Sequence, residues 1–305
     1  MKRTFIFCIA IFSVIAAFAQ ISPTATYEFV KRDSSLYLDF YKADNSAENY
    51  TLIFVFGGGF ITGTRNDSSY LPYYKMLVER NFNVVAIDYR LGMKGAKNVG
   101  IFNRKPVENS IAFAAEDLLT ATKYLVDHEK EMQIDSKKLI IAGSSAGAIT
   151  VLQADYELCN RTKLGQILPE GFRYAGVMSF AGAIYSKNGK IKYRKQDPAP
   201  TMMLHGINDR LVTYKQLKLF NVGFIGSSKI VKQFEKYGHP YYIIRFNDLG
   251  HEVAGRMIAD FDKEMWFIDN YIIKGAKIHR DDYIDDPSIK RYKFGGWKPS
   301  DLYEK

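Results

Sequence analysis

An α/β fold built on a mainly parallel central sheet is what this sequence predicts, and three observations predict it. Short runs at 52–56, 84–87, 139–142, 175–180 and 202–205 are almost wholly apolar and rich in Val, Ile and Phe, and runs without alternation mark strands covered on both faces. Helical stretches fall between them, chiefly 110–132, where Ala114, Leu118, Ala121 and Leu125 recur at spacings of three and four, and 253–273. Strand alternating with helix gives a parallel sheet with helices on both faces.

The first element is not part of that fold. Lys2 and Arg3 precede an uncharged apolar run over 5–18 that closes on Ala17, Phe18 and Ala19, the pattern of a secretory signal peptide over 1–19. The run has 14 residues, too few to cross roughly 30 Å of hydrocarbon as a helix. Cys8 sits inside the run and not after a small residue at its end, so it is not read as a lipid-attachment cysteine. We expect an exported protein, periplasmic or extracellular, with no stable membrane insertion after cleavage. Loss of 19 of the 305 residues leaves 286, which suits one large domain over 20–305. Cys159 would be its one cysteine, so stability must come from burial and not from an internal disulfide.

The formal charge of the whole chain is +9, without a block of like charge. Five basic residues lie in 187–195 but are interrupted by Asn188, Gly189, Ile191 and Tyr193, which reads as a solvated loop and not as a nucleic-acid site. Alternating stretches at 27–30 and 36–41 flank Lys31, Arg32, Asp33 and Ser34, an N-terminal antiparallel hairpin. The segments 88–109 and 182–200 carry Gly and Pro and each follows the carboxyl end of a strand. Ligands of open parallel sheets bind at that edge, so both are expected to wall a pocket. Tyr283, Tyr292, Phe294, Trp297 and Tyr303 suggest that the tail over 274–305 packs on the domain. Oligomeric state is not legible.

The chemistry centres on Gly143, Ser144, Ser145, Ala146 and Gly147, a Gly-x-Ser-x-Gly run between an apolar strand and a helical stretch. A turn that sharp strains the serine backbone and leaves no room for side chains on its neighbours, which makes Ser145 the candidate nucleophile. A serine hydroxyl needs a base, and the base needs an orienting acid. Of the five histidines, His251 lies on a loop after the run 241–246, at the same sheet edge as Ser145. His128 falls in a helix, His279 in the tail, and His239 before Pro240 at the other edge. His205 ends a strand and is read as a buried histidine, the weaker alternative. Asp209 follows a strand and lies between Ser145 and His251; it is preferred as the acid over Asp248 and Glu252, which are too near His251 in sequence, and over Asp88, read as part of an internal charge pair with Arg90. Oxyanion donors are sought in the N–H groups of Gly58, Gly59 and Ala146. No His-Glu-x-x-His run or cysteine pair suggests a metal, and no cofactor is expected.

Phe56-Gly57-Gly58-Gly59-Phe60, Asp88-Tyr89-Arg90-Leu91, Gly143 to Gly147, His205-Gly206-Ile207-Asn208-Asp209 and Gly250-His251 together resemble the α/β-hydrolases of the carboxylesterase and hormone-sensitive-lipase-like branch, which includes bacterial acetyl esterases of plant polysaccharides. The order Ser, Asp, His is that family's order. The resemblance implies an α/β-hydrolase fold and a serine esterase acting on short acyl esters, on a carbohydrate or other small-molecule alcohol, with Ser145, His251 and Asp209 as triad. Phe60, Tyr89 and Tyr185 are the expected substrate contacts. One departure stands out: the family usually has histidine before the glycines, where this chain has Phe56. Two alternatives are a prolyl-oligopeptidase-type peptidase, for whose propeller the length leaves no room, and a non-catalytic binding protein on the same fold.

Overall fold

The structure, a computed structural model, describes residues 21–44, 49–97 and 103–289. The expected signal peptide and Tyr292, Phe294, Trp297 and Tyr303 lie outside the described residues. In chain order the strands are β1 (Ala25–Lys31), β2 (Ser35–Tyr41), β3 (Thr51–Val55), β4 (Asn83–Ile87), β5 (Leu139–Ser144), β6 (Gly176–Phe180), β7 (Ala183–Ser186), β8 (Thr201–Gly206), β9 (Gln216–Leu219), β10 (Val222–Gly226), β11 (Tyr241–Phe246) and β12 (His279–Ile284). The helices are α1 (Leu71–Glu79), α2 (Lys105–Asp127), α3 (Glu129–Met132), α4 (Ala146–Cys159), α5 (Ser227–Tyr237) and α6 (Phe261–Phe267). Among the described residues no helix is long and apolar enough to cross a membrane.

Nine strands form one sheet in the order β1-β2-β4-β3-β5-β6-β8-β11-β12. β1 and β2 are the antiparallel hairpin, and β2 meets β4 antiparallel; every later pair is parallel. Every residue of β3, β4, β5, β6, β8 and β11 is buried, so both faces of the central strands are covered, as their unbroken apolar sequences require. Burial in β1 alternates instead, the mark of a strand with one wet face. The parallel register sets Val55 beside Gly143 and Gly206 beside Phe246. The segments that follow β3, β5, β8 and β11 therefore emerge together at one edge.

A second sheet, β7-β10-β9, is antiparallel and branches from the chain just after β6 and β8. The sequence pattern gave no warning of it, because 182–200 and 210–226 lack the long apolar runs of the central strands. Two helices also differ from expectation. α2 begins five residues before 110, with Pro106 in its first turn, where a missing N–H costs nothing. The stretch 253–273 is broken into a 3-10 turn at His251–Gly255, then α6, then a π turn at Ile268–Ile273. Tyr283 belongs to β12, a polar edge strand tied to β11 by the Arg245–Asp281 ion pair and by the Tyr242 hydroxyl on Asp282.

Beneath the edge the core is aromatic. Tyr73 meets Phe54, Phe180 and Phe261 edge-on, and its hydroxyl donates to Glu264 Oε2 at 2.6 Å. Burial, with Asp260 adding to it, pushes the Glu264 carboxyl well above the usual carboxylate range. Cys159 is buried as well, and burial pushes its thiol up, so it is not a reactive thiol.

Candidate active site

β5 runs into Ser145, whose backbone stands at φ 53° and ψ −113°, and α4 starts at the next residue. A side chain with φ in that region is strained, and the surroundings hold it there: Ser145 N–H donates to Phe180 O at 2.9 Å, and Ile149 N–H donates back to Ser145 O at 3.0 Å. The flanking glycines are steric necessities. A Cβ on Gly147 would stand 2.0 Å from Val55 O, and one on Gly143 2.4 Å from Gly147 O. The hydroxyl is thereby presented at the sheet edge, where His251 Nε2 lies 2.7 Å from Ser145 Oγ.

His251 opens the 3-10 turn after β11. Its Nδ1 is 2.9 Å from Asp209 Oδ2, which makes Nδ1 the donor and leaves Nε2 free to accept from serine. The two loops that carry these residues are locked together: Asn208 N–H donates to Leu249 O at 3.0 Å, and a Cβ on Gly206 would stand 2.2 Å from Gly250 O. Asp209 Oδ1 accepts from the N–H groups of Leu211 and Val212, both at 2.9 Å. Burial would raise its carboxyl, but hydrogen bonds from His205 and His251 outweigh it and hold the group well below the usual carboxylate range. It is therefore a fixed anion facing the imidazole.

His205 is the second histidine on that carboxylate, with Nε2 3.4 Å from Asp209 Oδ2 and 3.0 Å from Val212 O. Its Nδ1 lies 2.7 Å from Ser227 Oγ, and the ring is fully buried. Both ring nitrogens are thus occupied, Nδ1 by Ser227 and Nε2 by Val212 and Asp209, and among the described residues no bond leads from His205 to Ser145. Asp88 pairs with Arg65 at 2.6 Å, and Arg90 with buried Asp117 at 2.8 Å and with Glu116. Glu252 closes its own loop, accepting from Gly250 N–H at 3.0 Å.

Opposite the serine, the loop after β3 carries three successive positive φ angles, 111° at Gly58, 65° at Gly59 and 60° at Phe60. A Cβ on Gly58 would meet Thr62 O at 2.0 Å, and one on Gly57 would come within 3.3 Å of Ser145 Cβ. The N–H groups of Gly58, Gly59 and Ala146 donate to nothing among the described residues. That of Ala146 also opens α4, where the helix dipole favours negative charge. Among the described residues no group of three or more His, Cys, Asp or Glu side chains is placed to hold a metal ion.

This arrangement can be set beside known proteins. A family model described as BD-FAE matches residues 38–164, a span that takes in the glycine loop and Ser145. Esterase 2 of Thermogutta terrifontis is similar in structure in its apo form (19% identity, TM-score 0.58), with butyrate bound (18%, 0.59) and phosphonylated by cyclosarin (18%, 0.58). Each match covers 83% of this chain and 95% of the other. The chain has the α/β-hydrolase fold.

Within that fold, the place where Phe56 stands instead of histidine has its own solution. Gly57 N–H donates to the Tyr70 hydroxyl at 3.1 Å, and the Tyr89 hydroxyl donates to Phe56 O at 3.1 Å. The Phe56 and Tyr89 rings stack 4.4 Å apart. Two tyrosines distant in sequence therefore clamp the backbone that leads into the glycines. Tyr89, an expected substrate contact, is 3% exposed and its hydroxyl is occupied. Phe60 is buried against Tyr89, with its carbonyl accepting from Met93 N–H. Tyr185 is buried too, its hydroxyl donating to Glu108 Oε1 at 2.5 Å and its ring against Phe224. All three expected substrate contacts thus have scaffold partners. Of the expected pocket wall over 88–109, Asp88 to Gly92 and Lys94 face the β1–β2 turn across a groove of about 510 Å³, which Ser145, Asp209 and His251 do not line.

Proposed function

We propose that this α/β-hydrolase is a serine esterase that cleaves short acyl esters, carried on carbohydrate, through an acyl-enzyme on Ser145. The observation that carries the reading is the continuous path from Ser145 Oγ to His251 Nε2 and from His251 Nδ1 to Asp209 Oδ2. His251 takes the hydroxyl proton as Oγ bonds to the acyl carbon, and Asp209 holds the tautomer and faces the imidazolium that forms. The carbonyl oxygen, now an anion, is received by the N–H groups of Gly58, Gly59 and Ala146. Collapse expels the alcohol with the proton from His251, and water, activated by the same imidazole, releases the acid. Similarity to an esterase whose structures include butyrate-bound and phosphonylated forms supports the ester class. The leader-like sequence over 1–19 supports export to periplasm or medium, where a glycan ester is an accessible substrate. We assign no nucleic-acid partner and no cofactor.

Purified protein should hydrolyse p-nitrophenyl acetate, and Ser145→Ala should lower kcat by at least about 10³-fold. Equal rates for the two proteins would refute the reading.

A further inference from the structure

The small sheet β7-β10-β9 and the segments that frame it have a charge unlike the rest of the chain. Residues 183–196 and 210–234 contain ten lysines and arginines and no aspartate or glutamate. The whole chain carries +9, so the remainder, +9 less these ten, carries −1. All ten basic residues are exposed, and none enters an ion pair among the described residues. The acids at its borders are Asp197, Asp209 and Glu235, at the ends of these segments, and Glu108, which is bonded to the Tyr185 hydroxyl. Mixed charge is the ordinary state of a surface; within these two segments the charge is of one sign.

The charge also has a direction. Arg210 directly follows Asp209 of the triad and is exposed. At the far end, the loop after β7 packs on the β9–β10 turn, since a Cβ on Gly189 would stand 3.2 Å from Asn221 O. Gly223 pairs with both Ser186 and Lys218, so Lys187 and Lys218 lie at the end of the sheet that carries the β9–β10 turn, with Lys190 in the loop packed on it; Phe220, in that turn, is 85% exposed and Leu217, in β9, 61% exposed. The base of the sheet is anchored at the site itself: β7 starts three residues after Phe180, the acceptor of Ser145 N–H, and Ser227, which follows β10, meets His205.

We infer that this sheet docks an anionic polysaccharide, a chain bearing carboxylates, and delivers its acylated sugar to Ser145. A flat bilayer would engage the tip alone. Cations stand both at the end of the sheet that carries the β9–β10 turn and at Arg210 beside Asp209, which matches a linear polyanion that reaches the serine, and exposed Phe220 and Leu217 offer apolar surface to sugar rings. The inference rests on the esterase reading for what is cleaved, but not for what is bound.

Binding is therefore measured on inactive protein. Ser145→Ala protein should be retarded in native gels containing polygalacturonate, and adding Lys187→Gln, Lys190→Gln and Lys218→Gln should weaken that retardation at least about tenfold, as should high salt. With otherwise native enzyme, the three lysine substitutions should raise KM for acetylated polygalacturonate about tenfold while leaving p-nitrophenyl acetate hydrolysis unchanged. Equal retardation with and without the lysines, equal retardation by a neutral polysaccharide, or sedimentation with anionic phospholipid vesicles without retardation by polygalacturonate would each overturn the inference. Absence of p-nitrophenyl acetate hydrolysis, with retardation intact, would refute the esterase reading and leave the docking surface standing.

Discussion

The turn that carries Ser145 and the loop that faces it both hold strained backbone, and they are held by different means. At the serine the supports are local or part of the sheet: Gly143 and Gly147 admit the close approaches, and bonds to Phe180 O and from Ile149 N–H fix the turn. At residues 57–60 the chain makes short turns of its own, with Gly58 O accepting from Ile61 and Thr62 N–H. Its position, however, depends on Tyr70 and Tyr89, side chains 13 and 33 residues from the backbone atoms they bond. A turn dictated by its own glycines is visible as a motif. A loop placed by borrowed hydroxyls is not.

The largest effect that sharpens this contrast belongs to the residue that serves the serine side. Asp209→Asn would give His251 Nδ1 an amide donor where it now has an anion, favouring the wrong tautomer. We expect kcat to fall about 10⁴-fold with little change in KM, measured on p-nitrophenyl acetate. Next is Gly147→Ala. Its Cβ would meet backbone oxygen at 2.0 Å, whereas a Cβ on Gly57 would meet Ser144 O at 3.1 Å, a clash that a small shift relieves. Gly147→Ala should cost about 3 kcal/mol or more and Gly57→Ala clearly less, as thermal or urea unfolding would show. Equal losses would remove the distinction between the enclosed Gly147 and the roomier Gly57.

The strands of the central sheet were legible because each is an apolar run buried on both faces, and the hairpin because β1 alternates. Ser145, His251 and Asp209 are named by the sequence and brought together by the structure, since each follows a strand at one sheet edge. β12 escaped notice because His279, Arg280, Asp281 and Asp282 are tied by ion pairs and by pairing to β11, with no apolar pattern to betray them. The hydroxyl partners of Tyr89 and Tyr185 are hidden from the sequence for a related reason. A tyrosine near a loop can turn its hydroxyl to substrate or to a backbone carbonyl, and sequence spacing does not distinguish the two. His205 was recognised as buried, but its contact with Asp209 depends on how the turn after β8 folds back.

Two smaller effects complete the comparison. Asp155, on the helix that Ser145 opens, has its carboxyl lifted to about 7 by burial, against the pull of the Ala199 N–H and of Arg173. Between the ordinary carboxylate value and 7 the folded protein keeps a proton that the unfolded chain has lost, so this group's contribution to stability falls as pH rises through that window. Asp155→Asn does not titrate; its stability relative to the parent should therefore rise by about 2 kcal/mol from pH 5 to 7, read from urea unfolding at each pH. A constant difference would contradict a protonated Asp155. Tyr70→Phe removes one bond to the glycine loop, worth about 1 kcal/mol; it should lower kcat several-fold with KM nearly unchanged and the melting temperature down by only about 2 °C. A variant that loses stability but not kcat would make Tyr70 a core residue and not a positioning one.

The most direct test is to quench the reaction with p-nitrophenyl acetate during turnover and map the acyl group by peptide mass spectrometry. One acetyl group on the peptide containing Ser145, absent when Ser145→Ala is treated alike, is the predicted result. Acetyl on another residue, or turnover that persists without the Ser145 hydroxyl, would contradict the account.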